Sequence, residues 1–125
     1  MPFSDEFRDF VRENIFSVEQ IQVLAILSEQ PDRRWFPEEL RARLSTSRGS
    51  ISNRLALLLR RALVMGNERE GYRYRPDPAH DALVDELRRQ FIERPTSVIA
   101  LVFSGPSALE SFSDAFRIGG GDDPG

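Results

Sequence analysis

Between Ser47 and Val64 the chain reads SRGSISNRLALLLRRALV. Small polar residues open this stretch, four Arg are spread along it, and leucines fill much of the rest. A serine at position 47 suits a helix N-cap, where its oxygen accepts from a backbone N–H of the first turn. The remaining free N–H groups of that turn favour an anion. Ser47, Arg48, Ser50 and Ser52 can therefore bond phosphates or base edges. Asn53 and Arg54 are long enough to reach base edges in a major groove, Asn suiting adenine and Arg guanine. Gly49 inside the helix costs up to ~1 kcal/mol against Ala. Close approach of the backbone to a ligand is one account of it; chance is another.

The stretch predicts a helix over about Arg48 to Ala62. On a helical wheel Ile51, Leu55, Leu58, Leu59 and Ala62 share one side, the core side. Gly49, Asn53, Ala56 and Arg60 lie opposite, and Ser50, Ser52, Arg54 and Leu57 lie between. Arg60 and Arg61, toward the far end, suit a solvated face.

Charge is unevenly distributed. The net charge is −3, yet residues 35–75 hold nine Arg against four Glu, and both flanks are acidic. A basic middle between acidic flanks is consistent with one polyanion-binding face, or with solvated Arg on a helix surface. All 17 basic residues are Arg. Coding bias in a GC-rich genome accounts for that, although guanidinium forks also suit phosphate and guanine.

Other chemistry is poorly provided for. With no Cys there is no thiolate metal site, disulfide framework or thiol nucleophile. A single His, His80, makes a His-based metal site or a Ser-His triad hard to build. The GGG near the end follows no strand and precedes no helix, so it is not a phosphate loop. No enzyme activity, cofactor or metal is expected. Nor is a membrane association: no apolar run reaches transmembrane length, and MPFSDEFRDF lacks a signal pattern. The expectation is a soluble cytoplasmic protein.

The elements that would position these residues are legible in outline. Residues 4–13 form a short amphipathic helix with Phe3, Phe7, Phe10 and Val11 on one side. Ser17 and Gln20 form a capping box, with Phe16 and Ile21 as its staple. The helix that follows runs to about Glu29, burying Val18, Ile21, Leu24, Ala25 and Leu27, before Pro31. RRWF is extended ahead of Pro37, and Trp35 is a core residue. Pro37, Glu38 and Glu39 open a third helix, holding Leu40 and Leu44. STS makes a turn into the helix at Arg48. Leu63–Met65 and Tyr72–Arg75 are two short strands around the polar GNEREG turn. Pro76 and Pro78 lead into a helix over Ala79–Glu93 with Leu83, Val84, Leu87 and Phe91 buried and His80 at its surface or cap. Pro95 breaks it. Thr96 or Ser97 caps an apolar piece, Val98–Phe103. After Gly105-Pro106, Ser107 caps a last helix with Leu109, Phe112 and Phe116. GGGDDPG is a disordered tail.

Helix, extended piece, helix, turn, helix, hairpin is the order of a winged helix-turn-helix. FPEELRARLSTSRGSISNRLALLLRRALV and GYRYRP resemble the helix pair and the wing's return strand of the bacterial MarR-type regulators. The resemblance covers roughly half the chain. It implies a mostly α fold with a small β-hairpin (α+β), carrying extra N- and C-terminal helices: residues 1–16 as N-terminal helical extension, 17–78 as the winged helix-turn-helix domain, 79–118 as C-terminal dimerisation helices, 119–125 as tail. It further implies a transcriptional regulator that binds double-stranded DNA as a homodimer, helix 48–62 in the major groove and a wing at 66–75. Arg69 at the wing tip and Arg73 on its return strand are then phosphate contacts. Glu68 and Glu70 oppose that role. Tyr72 and Tyr74 either stack on bases or pack inside. Related regulators often bind a small-molecule effector between the two parts. The apolar excess at both ends, Phe3, Phe7, Phe10, Phe16, Val98–Phe103, Phe112 and Phe116, exceeds what one small domain readily buries, which favours a two-fold interface. The alternative is a winged-helix protein-protein interaction module without sequence-specific DNA binding.

Overall fold

The computed structural model describes residues 3–104. The expected helix after Ser107, with Leu109, Phe112 and Phe116, and the tail at 119–125 lie outside the described residues. The fold is mostly helical with a small antiparallel sheet. In chain order it runs α1 (Asp5–Asn14), α2 (Val18–Glu29), α3 (Pro37–Leu44), α4 (Arg48–Arg60), β1 (Val64–Asn67), β2 (Gly71–Tyr74), α5 (Pro78–Glu93) and α6 (Pro95–Val102).

Local chemistry explains most boundaries. Ser4, Ser17, Ser47 and Asp77 each accept a backbone N–H three residues on, capping α1, α2, α4 and α5. At α2 the capping box is rearranged. Gln20 Oε1 accepts from the N–H of Phe16 rather than Ser17, and Gln20 Nε2 donates to the carbonyl of Asn14. A fully buried glutamine thereby closes the corner between α1 and α2. Pro37 occupies the first turn of α3, and Glu39 accepts the N–H of Phe36. No Thr or Ser side chain caps α6. It begins at Pro95, the pyrrolidine ring fixing the first helical φ, and not at the expected Thr96 or Ser97.

Both helices around the STS turn end in the left-handed region, at Ser45 (φ 53°) and Ala62 (φ 61°). After α4, the N–H of Leu63 bonds the carbonyl of Leu58 and that of Ala62 bonds Leu59. This is a Schellman closure, with alanine where glycine is usual. It stops α4 at Arg60, two residues short of the expected end, and leaves Ala62 and Leu59 exposed rather than on the core side.

The core is one cluster running from Phe3 to Val102. Helix α2 is its axis, packed against α4, α5 and β2. That central position buries Val23 and Ile26 as well as Ile21, Leu24 and Leu27, while Val18 and Ala25 are only half-buried. Helices α1 and α6 pack on α5 and on each other. Phe3, Phe7, Phe10, Val98, Leu101 and Val102 are thus buried within the chain itself, so these side chains give no reason to invoke a second copy. In α5, Val84 and Leu87 are buried while Leu83 and Phe91 pack on the core's edge.

The strands pair Val64 with Tyr74, Met65 with Arg73, Gly66 with Tyr72 and Asn67 with Gly71, shifted by one or two residues from the expected ends. Trp35 adds a single bridge on the other side of β2, exchanging two 2.7 Å backbone bonds with Tyr72. Gly66 is required: a Cβ there would lie 2.0 Å from the carbonyl oxygen of Gly71. None of the described helices is long and apolar enough to cross a membrane.

Candidate nucleic-acid interface

Helix α4 presents its inner face, Ile51, Leu55 and Leu58, to the core. Gly49, Asn53, Ala56 and Arg60 lie on the opposite, exposed face. A Cβ built on Gly49 would meet nothing within 4 Å. Along this face a ligand can approach the helix backbone without displacing protein.

The two flanks of α4 are held by carboxylates. On the side facing α2, Glu19 accepts hydrogen bonds from the hydroxyl of Ser50 and, at 3.1 Å, from Arg54 Nε. Burial works against its charge, but the hydrogen bonds from Ser50, Thr46 and Arg54, with the charge of Arg54, hold its pKa below the ordinary value. On the side facing the hairpin, Glu68 Oε2 accepts from the hydroxyl of Ser52 at 3.1 Å, and Oε1 lies 3.5 Å from Arg48.

These contacts divide the sequence-derived candidates. Ser47 acts as the N-cap of α4, its oxygen taken by the N–H of Ser50. Ser50 and Arg54 are committed to Glu19, so Arg54 is an inward tie between α4 and α2 rather than a freely projecting base reader. Arg48 and Ser52 stay at the surface, shared with Glu68. Asn53 is exposed. In the hairpin, Arg69 stands exposed at the turn, whereas Arg73 is half-buried, with its Nε covered and without a partner. The structure therefore places Arg69 and Arg73 in different environments, although the sequence offered them as a pair. The turn is shaped by Asn67, whose Oδ1 accepts the N–H groups of Arg69 and Glu70.

Glu19 was missed in the sequence because it lies 31 and 35 residues from Ser50 and Arg54, and no local pattern links them. Among the described residues Arg43, Arg60, Arg61, Arg69, Arg73 and Arg75 make no ion pair. Part of the positive charge of the middle segment is thus not neutralised internally. Arg43 and Arg33 stack over Trp35, at 5.5 and 3.6 Å from the ring centroid. Arg61 lies 5.4 Å over Phe16, which draws it away from a purely solvated role.

The aromatic residues pack inside. Trp35, Tyr72 and Tyr74 are all buried, so the tyrosines do not offer stacking faces. The hydroxyl of Tyr74 donates to Asp81 at 2.7 Å, tying the sheet to α5. Burial, and then this bond to an anion, drive its pKa far upward. Two open cavities adjoin this bond, one lined by Asp32, Arg73 and Pro76, the other by Ser28, Asp85 and Arg88. His80 lies at the α5 cap, its ring 5.4 Å from that of Phe10. Among the described residues no group of acidic or histidine side chains is arranged to hold a metal ion.

No family model, curated protein or solved structure matches the chain.

Proposed function

We propose that the chain is a winged helix-turn-helix transcriptional regulator, similar in plan to the MarR type, with α4 as recognition helix and the β1–β2 hairpin as wing. The observation that carries this reading is the succession α3, left-handed turn at Ser45, α4, hairpin, with the Gly49–Asn53–Ala56–Arg60 face of α4 uncovered. A helix so exposed fits a major groove. Asn53 reads bases, and Arg48, Ser52 and Arg69 bind phosphates. The bridge between Trp35 and Tyr72 supports the plan, since it sets a segment from before α3 alongside β2.

A homodimer would set two such helices ~34 Å apart, one DNA turn. Ile92 and Phe103, 75% and 60% exposed, are the side chains that would be buried by it. A small-molecule effector would have the two cavities beside Tyr74 and Asp81 available.

The second reading is a winged-helix module that binds a protein. Glu68 favours it, because it neutralises Arg48 on the surface DNA would use.

Selection from random duplex DNA, with the best site titrated at several salt concentrations, separates the two. An enriched two-fold motif with a steep salt dependence supports the regulator. No enrichment and no salt-dependent binding leaves the protein-binding module.

A further inference from the structure

Glu68 belongs to the hairpin turn, yet its carboxylate is engaged with α4, on Ser52 and Arg48. Those two donors are phosphate contacts in the DNA-binding reading, on which this inference rests. A carboxylate and a phosphodiester offer them the same chemistry, anionic oxygens accepting charge-assisted hydrogen bonds. The single hydroxyl proton of Ser52 serves one acceptor at a time, and on Arg48 the two anions compete for one guanidinium charge.

The contact is also separable from the fold. Glu68 and Arg48 are 54% and 55% exposed, and exposed ion pairs are weakly held. The shape of the turn rests on other groups: the Asn67 side chain bonded to two N–H groups, and the positive φ of Gly66 and Gly71. Releasing Glu68 therefore leaves the hairpin intact. The Glu19 contact differs. It is 19% exposed, engages two groups of α4 and spans packed helices.

We propose that Glu68 is an autoinhibitory latch: in the free protein it stands in for a DNA phosphate on Arg48 and Ser52, and must leave them before α4 engages a duplex. Affinity for any duplex is then the gain from the phosphate less the loss of Glu68.

Glu68→Gln and Glu70→Gln each remove one negative charge from the same turn. Of the two, only Glu68 contacts α4 among the described residues. Both variants are titrated with a short labelled duplex of mixed sequence across a salt series. Glu68→Gln should tighten binding about fivefold more than Glu70→Gln does. Equal tightening would reduce the effect to net charge and overturn the latch while leaving the DNA reading standing. No salt-dependent binding by the parent or either variant would overturn both.

Discussion

Arg54 Nε donates to Glu19 Oε1 across 3.1 Å, joining the middle of α4 to the first turn of α2. The same carboxylate takes the hydroxyl of Ser50, one turn earlier on α4. The orientation of the candidate recognition helix is therefore set in part by one acidic residue that lies far from it in sequence.

That placement makes the fold acid-sensitive. Burial raises the Glu19 pKa, but the bonds from Ser50, Thr46 and Arg54 and the charge of Arg54 more than reverse this, and the net shift is downward from 4.5. A carboxyl with a depressed folded pKa contributes stability that is present above its unfolded value. That stability is lost as pH falls through the folded value. Urea unfolding across a pH series should show stability declining from about pH 4.5 downward. Glu19→Gln should lose about 1–3 kcal/mol at pH 7 and flatten that acid limb. A variant with an unchanged limb would assign the sensitivity to other carboxylates.

The local devices were legible in the sequence. Ser17, Pro37 and Ser47 mark helix starts, and the GNEREG turn marks the hairpin, because each acts on neighbours within a few residues. The long-range assignments were not. Val23 and Ile26 are buried because α2 is surrounded, which a one-face reading of its periodicity cannot supply. Gln20 serves the corner with α1 rather than its own cap. Phe7 and Phe10 fill the space between α1, α5 and α6, although their excess in the sequence suggested an interface. At the candidate site, Asn53 and Arg69 stand where the helix and turn patterns put them. Arg54 and Ser50 are bonded to Glu19 of α2, a partner no local pattern reveals.

The end of α4 carries a removable strain. Ala62 adopts φ 61°, a conformation that costs an L-residue with a Cβ roughly 1–2 kcal/mol. Glycine has no such penalty, though it loses more entropy on folding. Ala62→Gly should raise stability by about 1 kcal/mol, read as a higher denaturant midpoint with an unchanged slope. Ala62 is exposed and makes no core contact that the change would remove. A lower midpoint would show that the Schellman geometry is not populated in solution.

Gly49 tests the helix face from the opposite direction. A methyl group there meets nothing within 4 Å, so Gly49→Ala should stabilise α4 by up to ~1 kcal/mol. If a duplex lies against this face, the same methyl group stands between backbone and DNA. The expected result is a higher melting temperature together with weaker duplex binding. Greater stability with unaltered binding would move the DNA contact off this face.

Asn53 and Arg69 should fail in different ways. Asn53 is exposed on the outer face of α4, and in the proposed DNA complex an asparagine there would bond an adenine edge in the major groove. Asn53→Ala should cost about 1–3 kcal/mol on the best selected site, little on unrelated duplexes, and should relax the preference at one position. Arg69 is at the apex of the hairpin and makes no ion pair among the described residues. As a phosphate contact it carries no sequence information. Arg69→Ala should weaken all duplexes alike and reduce the salt slope by about one. Arg54→Ala, in contrast, should lower stability through the loss of its bond to Glu19 and shift binding only as far as α4 loosens. The three variants are compared by titrating the selected site and a scrambled duplex at matched salt, alongside urea unfolding. Equal, sequence-independent losses for Asn53→Ala and Arg69→Ala would remove base reading from α4 and leave a purely electrostatic contact.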